Sequence, residues 1–296
     1  MNDKKTNRTF WGVTALAAAG IIAGAVTVAQ AAHDEKRMPG LPSIEGHGPI
    51  TTHTKSPKGH PLDEVISGFE YRTRETQALE LDDFQNPGML AVEQGEELWS
   101  KFDGDAGKSC ESCHGDASES MKGVGAAMPK WNEGAGKPVN LEMQINLCRT
   151  ERMGAKPYKF NSGDQKAMVT YVRHQSRGMP VTLDLEKGEM QKWWDQGKDI
   201  YYTRYGQLEL SCASCHEINY GKYIRADHLS QGQINGFPTY RLKSQGIVLT
   251  HARFKGCVRD TRAVPFKPMS DELLALEVYV AWRGTGLSVE TPAVRQ

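Results

Sequence analysis

The stretch that decides the reading is Cys212-Ala213-Ser214-Cys215-His216, followed in the same half of the chain by Arg253-Phe254-Lys255-Gly256-Cys257. C-x-x-C-H is the spacing of covalent c-type haem attachment: the two thiols add to the haem vinyl groups and the adjacent imidazole takes a proximal position on the iron. A second copy, Cys110-Glu111-Ser112-Cys113-His114, stands 102 residues earlier. A zinc site would need four ligands per metal at another spacing, and a thioredoxin-like C-x-x-C would need a βαβ context. The sequence therefore predicts two covalently attached c-type haems, on Cys110 and Cys113 and on Cys212 and Cys215, with His114 and His216 as iron ligands.

Outward from these motifs the chain repeats itself. Gly95 and Gly197, Gly104 and Gly206, Ser109 and Ser211 all match at the same offset of 102 residues without a gap. Downstream, Ala167-Met168-Val169-Thr170-Tyr171-Val172 answers Ala275-Leu276-Glu277-Val278-Tyr279-Val280. Each half reads as an N-terminal helix, an attachment motif, a loop-rich middle and a C-terminal helix with a broad apolar face. Small domains of this kind have thin cores, which a covalently held macrocycle fills. The expected fold is all-α: two tandem cytochrome c-like haem domains with an N-terminal extension. Residues 1–31 are expected as a signal peptide, 32–89 as leader and extension, 90–180 as the first domain and 186–296 as the second, catalytic domain. The linker between the domains contains Pro180.

The first 31 residues carry the marks of an export signal. Lys4, Lys5 and Arg8 precede an apolar run from Trp11 to Val28, which ends at the small-x-small triplet Ala29-Gln30-Ala31. The run approaches the length of a bilayer span, but its small residues and cleavage triplet favour removal, leaving no stable membrane span. A periplasmic protein is expected, which suits c-type haem. The formal net charge is zero, so nothing global points to nucleic acid. Residues 33–61 are rich in Gly, Pro, His, Ser and Thr and read as an extended, solvated leader; His33, His47, His53 and His60 show no metal-site spacing. Residues 62–89 are expected to pack on the first haem domain.

Two cysteines remain, Cys148 and Cys257, one per half. An oxidising compartment permits a disulfide between them. The repeat favours a different role, with each as the distal iron ligand of its own haem. Both stand at equivalent places, each a short way before Pro157-Tyr158 or Pro265-Phe266, and no methionine occupies equivalent positions in the two halves. Thiolate ligation stabilises ferric iron and lowers the potential relative to His/Met ligation, and a thiolate is also a nucleophile. The two cysteines differ in surroundings. Four residues before Cys257 stands Arg253, whereas Gln144 stands four before Cys148. On a helix that spacing puts Arg253 on the face of the thiol, where its planar fork suits a small oxyanion. Arg149 and Arg152 read as partners for haem propionates.

The pattern resembles the SoxA family, dihaem cytochrome subunits of the bacterial thiosulfate-oxidising Sox system. The resemblance spans the chain after residue 31 and includes Pro61-Leu62-Asp63-Glu64, Ser67-Gly68-Phe69, Thr76-Gln77, Asn86-Pro87-Gly88, both haem motifs and the segment from Arg253 to Cys257. It implies an L-cysteine S-thiosulfotransferase, paired with a SoxX-like monohaem cytochrome c. Such an enzyme couples thiosulfate oxidatively to a cysteine of a SoxYZ-like sulfur carrier and releases two electrons. It further implies Cys257 as the catalytic cysteine and ligand of the second haem, found in the family as a persulfide. Arg253 would bind the sulfur oxyanion, and Cys148 would ligate the first haem. The rival readings are a non-catalytic periplasmic dihaem electron-transfer protein with His/Cys-ligated haems, and a dihaem peroxidase, against which a cysteine in both halves argues.

Overall fold

The structure is a computed structural model in which residues 42–44 and 46–296 are described. The expected signal peptide, its cleavage triplet and His33 lie outside the described residues.

The leader is packed rather than solvated. β1 (Ser43–Ile44) pairs with β2 (Gly48–Pro49), and β3 (His53–Lys55) with β4 (Glu64–Ile66), both antiparallel. Ile44 and Ile50 are 1% exposed. Thr51 N donates to Ser288 Oγ at 2.9 Å, and Ser288 N donates back to Thr51 O at 3.0 Å. These partners lie far along the chain, so local composition could not announce them. His47 packs edge-on to the His174 ring at 5.3 Å and His60 lies 5.6 Å from the Trp282 ring. Among the described residues no His, Cys, Asp and Glu side chains cluster as a metal site would require.

The extension, with α1 (Arg74–Leu81), packs chiefly against the C-terminal half, not the first as expected. Ile66 N donates to Gln231 Oε1 at 2.9 Å, Arg72 to His228 O at 2.6 Å and Ser67 Oγ to Glu290 Oε1 at 2.5 Å. The cause is charge burial. Glu80 and Glu290 are both fully buried, and Arg295 bonds to both carboxylates. A buried carboxylate must find a partner, and here the partner lies more than two hundred residues away. Against the first half the extension sets Asp83, which pairs with Arg177 at 2.5 Å.

The repeated architecture follows. The first half runs α2 (Met89–Ser100), the short attachment helix Glu111–His114, the hairpin of β5 (Lys130–Asn132) and β6 (Lys137–Val139), then α3 (Leu141–Arg152) and α4 (Gly163–His174). The second runs α5 (Met190–Tyr202), the attachment helix Cys212–His216, the hairpin of β7 (Tyr223–Ile224) and β8 (Asp227–His228), β9 (Thr239–Arg241), β10 (Gly246–Val248), α6 (Thr250–Asp260) and α7 (Asp271–Arg283). β9 lies between antiparallel β10 and parallel β11 (Ala293–Arg295). The fold is mainly helical, with these short strands in the leader, the connections and the segment after α7.

The matched glycines explain why the halves fold alike. α2 crosses α4 at Gly95, where an added Cβ would sit 2.4 Å from Ala167 O; α5 crosses α7 at Gly197, where it would sit 2.0 Å from Ala275 O. No side chain fits at either crossing. Gly104 and Gly206 adopt φ of +72° and +67°, and an added Cβ at each would lie 2.2 Å from Met153 O and Thr261 O respectively. Both the conformation and the close approach demand glycine.

The halves also share a seam. Met190, Trp193, Leu274 and Val278 pack against Trp131 and Met143. Beside this apolar layer Asn140, the N-cap of α3, donates to Glu277 Oε2 at 2.8 Å, and His251 Nε2 lies 3.0 Å from the same oxygen. Met269 N donates to His251 Nδ1 at 3.0 Å, so the ring proton sits on Nε2. Burial lowers the His251 pKa, but the Glu277 carboxylate more than offsets it, leaving it raised.

Candidate haem and sulfur site

In the first half the elements enclose a cavity of about 590 Å³, lined by Trp99, Cys110, Cys113, His114, Cys148 and Met168 among others. Cys148, on α3, thus faces the attachment motif. Ser109 and Ser112 brace the motif by exchanging backbone-to-hydroxyl bonds of 3.0 Å. Trp99 Nε1 donates to Gly115 O at 2.9 Å and its ring lies 5.7 Å from that of His114. Burial pushes the Cys110 thiol up to about 11. Gln144 Nε2 donates to Cys148 Sγ at 3.6 Å, while Gln144 Oε1 accepts from Asn132 Nδ2 at 3.1 Å.

In the second half Ser211 and Ser214 repeat the capping box. His216 Nδ1 lies 2.8 Å from Ser230 O, which puts the ring proton on Nδ1 and leaves Nε2 free as a ligand atom. Gly232 lies against the same ring; a Cβ there would stand 2.7 Å from His216 Cγ. Burial lowers His216 to about 4, so it is the neutral imidazole that metals bind. Burial raises the thiols of Cys212, to about 12, and Cys215, and in both the next cause is Cys257. Cys257 is thus a close electrostatic neighbour of its own half's attachment motif. The guanidinium of Arg253 is raised above its ordinary value chiefly by Cys257.

All six cysteines are unpaired, so no disulfide joins Cys148 to Cys257. The structure brings Cys110, Cys113, His114 and Cys148 together in one half, and Cys212, Cys215, His216, Arg253 and Cys257 in the other. These residues fit a c-type haem. The donor set is right in each half, the first cavity has the volume of a ligand site, and Trp131 Nε1 in its wall is buried without a protein acceptor. Arg149 and Arg152 both line this cavity, and the Arg149 guanidinium also pairs with Asp103 at 2.6 Å, donates to Lys156 O at 3.0 Å and lies 3.7 Å over the Tyr158 ring. Ser230, Gly232, Asn132 and Trp131 were not legible as site residues, since none carries a local motif.

Residues 94–181 match the family model of the SoxA/TsdA cytochrome c domain. A curated relative from Pseudaminobacter salicylatoxidans, named L-cysteine S-thiosulfotransferase subunit SoxA, is 61% identical over 248 residues, 84% of this chain and 87% of its own length. A relative of the same name from Rhodovulum sulfidophilum is 52% identical over 85% of this chain and 88% of its own. Among solved structures, that of SoxXA from P. pantotrophus superposes with a TM-score of 0.83 at 49% identity, covering 88% of this chain and 99% of the matched one. With the two cysteine-faced attachment motifs and identities of this size over most of both chains, this protein belongs to the SoxA family.

Proposed function

We propose that this chain is the dihaem catalytic subunit of an L-cysteine S-thiosulfotransferase, working in the periplasm with a SoxX-like monohaem cytochrome c and a SoxYZ-like sulfur carrier. One contrast carries the reading. Gln144 is bonded to Asn132 and to Cys148, whereas Arg253, at the equivalent helix position, has no hydrogen-bonded protein partner among the described residues and has Cys257 as its strongest electrostatic neighbour. A free guanidinium beside a thiol suits an anion that must meet sulfur.

Cys110 and Cys113 would hold one haem with His114 and Cys148 as iron ligands, and Cys212 and Cys215 the other with His216 and Cys257; bound there, the groups supply one-electron acceptors. Arg253 binds the sulfonate oxygens of thiosulfate and turns its outer sulfur toward Cys257. A sulfur–sulfur bond forms between the Cys257 thiolate and that outer sulfur with loss of two electrons, which leave to the partner cytochrome. The product, Cys–S–S–SO3⁻, keeps one negative charge. A thiolate of the carrier then attacks the sulfur that came from thiosulfate. The carrier leaves as its S-thiosulfonate and Cys257 returns as a thiolate. The assembly of the P. pantotrophus neighbour, SoxXA, supports the heterodimer, and the charged, apolar, small-residue order of residues 1–31 supports export.

The test is thiosulfate-dependent reduction of an acceptor cytochrome in the presence of the carrier. Cys257→Ala should abolish it while two haems per chain persist by pyridine haemochrome assay. Retained turnover would leave only the non-catalytic electron-transfer role.

A further inference from the structure

The hairpin that leads into the Cys257 helix delivers a second guanidinium. Arg241 ends β9 and pairs across the hairpin with Gly246; β10 then ends at Val248, and only Leu249 separates it from the first residue of α6. Arg253 stands in the first turn of that helix. Arg241 is half-buried, and its Nε donates to Gln296 O at 2.9 Å, which fixes the guanidinium without using its two terminal amines. Parallel pairing of Arg295 with Arg241 holds the strand from the other side. Neither Arg241 nor Arg253 is ion-paired to an Asp or Glu side chain among the described residues, although Asp227 and Asp260 lie within electrostatic reach of both. Burial lowers Arg241 below its ordinary value, Arg253 lowers it further, and Cys257 is among the groups that raise it. Two guanidinium groups within electrostatic reach of each other, with no Asp or Glu side chain bridging them, repel each other, and an anion between them removes that cost.

We propose that Arg241 is a second substrate-binding residue of the Cys257 site, closing on the sulfonate of thiosulfate opposite Arg253 and selecting a doubly charged sulfur oxyanion over a singly charged one. The proposal rests on the reading of Cys257 as the reacting sulfur. One guanidinium balances a single negative charge, so a dianion needs a further cation for its remaining charge. Arg241 supplies it from a strand rather than from the helix. The two donors therefore approach from different elements and set the distance between them, which a pair on one helix could not do independently.

Steady-state kinetics of the assembled complex test this, with thiosulfate as the probe. Arg241→Gln should raise KM for thiosulfate about tenfold, the loss of one charge-assisted hydrogen bond, with kcat falling by less than KM rises. Arg241→Lys should recover most of the loss. The dependence of log KM on ionic strength should be shallower in Arg241→Gln than in the parent, as a screened charge pair requires. An anchoring role for the strand alone would instead lower the melting temperature and leave KM and its salt dependence in place. Unchanged KM in Arg241→Gln overturns the assignment even if Cys257→Ala is inactive. Turnover surviving in Cys257→Ala would remove both the assignment and the reading beneath it.

Discussion

The two halves meet their distal cysteines with the same scaffold and different charge. Both use a helix that begins just after a strand hairpin, both place a cysteine in its second half, and both brace the opposite motif with a pair of serines. Four residues ahead of the sulfur they part. Gln144 is neutral and bonded at both ends, accepting from Asn132 and donating to Cys148. Arg253 is charged and has no such bonds. The imidazoles differ too: His216 is tethered to Ser230 O and pressed by Gly232, while His114 is exposed and its ring lies tilted against that of Trp99. A duplicated fold thus surrounds two equivalent sulfurs with different charge. On the function proposed above, the amide gives its sulfur no charged partner, and the free guanidinium equips the other sulfur for an anion.

The comparison breaks most visibly at the sulfur itself. Cys257→Ala should lower thiosulfate turnover by about a thousandfold or more, as removal of a nucleophile does. Cys148→Ala should keep turnover within about tenfold, since that half is given no group to hold substrate. Equal losses would make the two sulfurs one relay. Next comes the guanidinium: Arg253→Ala should cost about a hundredfold in kcat/KM, within the range for a lost charged hydrogen bond, and Gln144→Ala less than about threefold. If both variants lose alike, the charge serves only the local balance.

The shared scaffold is sharpened by the crossing glycines. Gly95→Ala and Gly197→Ala should each destabilise the holoprotein by about 1–3 kcal/mol through overpacking, measured by denaturant titration. A much larger loss at one would show that the halves do not contribute alike. The smallest effect lies at the seam between them. Burial and then Glu277 push Glu142 up from 4.5 to about 7. The folded chain therefore holds a proton that the unfolded chain releases above pH 4.5, so stability falls as pH rises from there through about 7. Glu142→Gln should flatten that slope, raising Tm at pH 8 and changing it little at pH 4.5; an unaltered slope would mean that the seam holds no such proton.

How much was legible divides along physical lines. Attachment motifs, serine braces, helix-crossing glycines and the four-residue step from Arg253 to Cys257 are short-range patterns. Their spacing alone fixes which atoms meet, because helix geometry and thioether chemistry tolerate no other arrangement. The repeat added the equivalence of Cys148 and Cys257, from which their separate sites followed.

Other features depended on partners that the local sequence does not bring together. The leader looked solvated because its polar residues find their bonds at Ser288 and its isoleucines find a core only in the folded chain. The extension joined the C-terminal half because buried Glu80 and Glu290 required Arg295. Arg149 found Asp103 from another element, and Arg241 sits on a strand paired on both sides. The sequence by itself determined the haem-attachment chemistry and the duplicated helical plan. Only tertiary structure decided which charges were paired within the protein and which were left unpaired, since that depends on long-range pairing that no local pattern encodes.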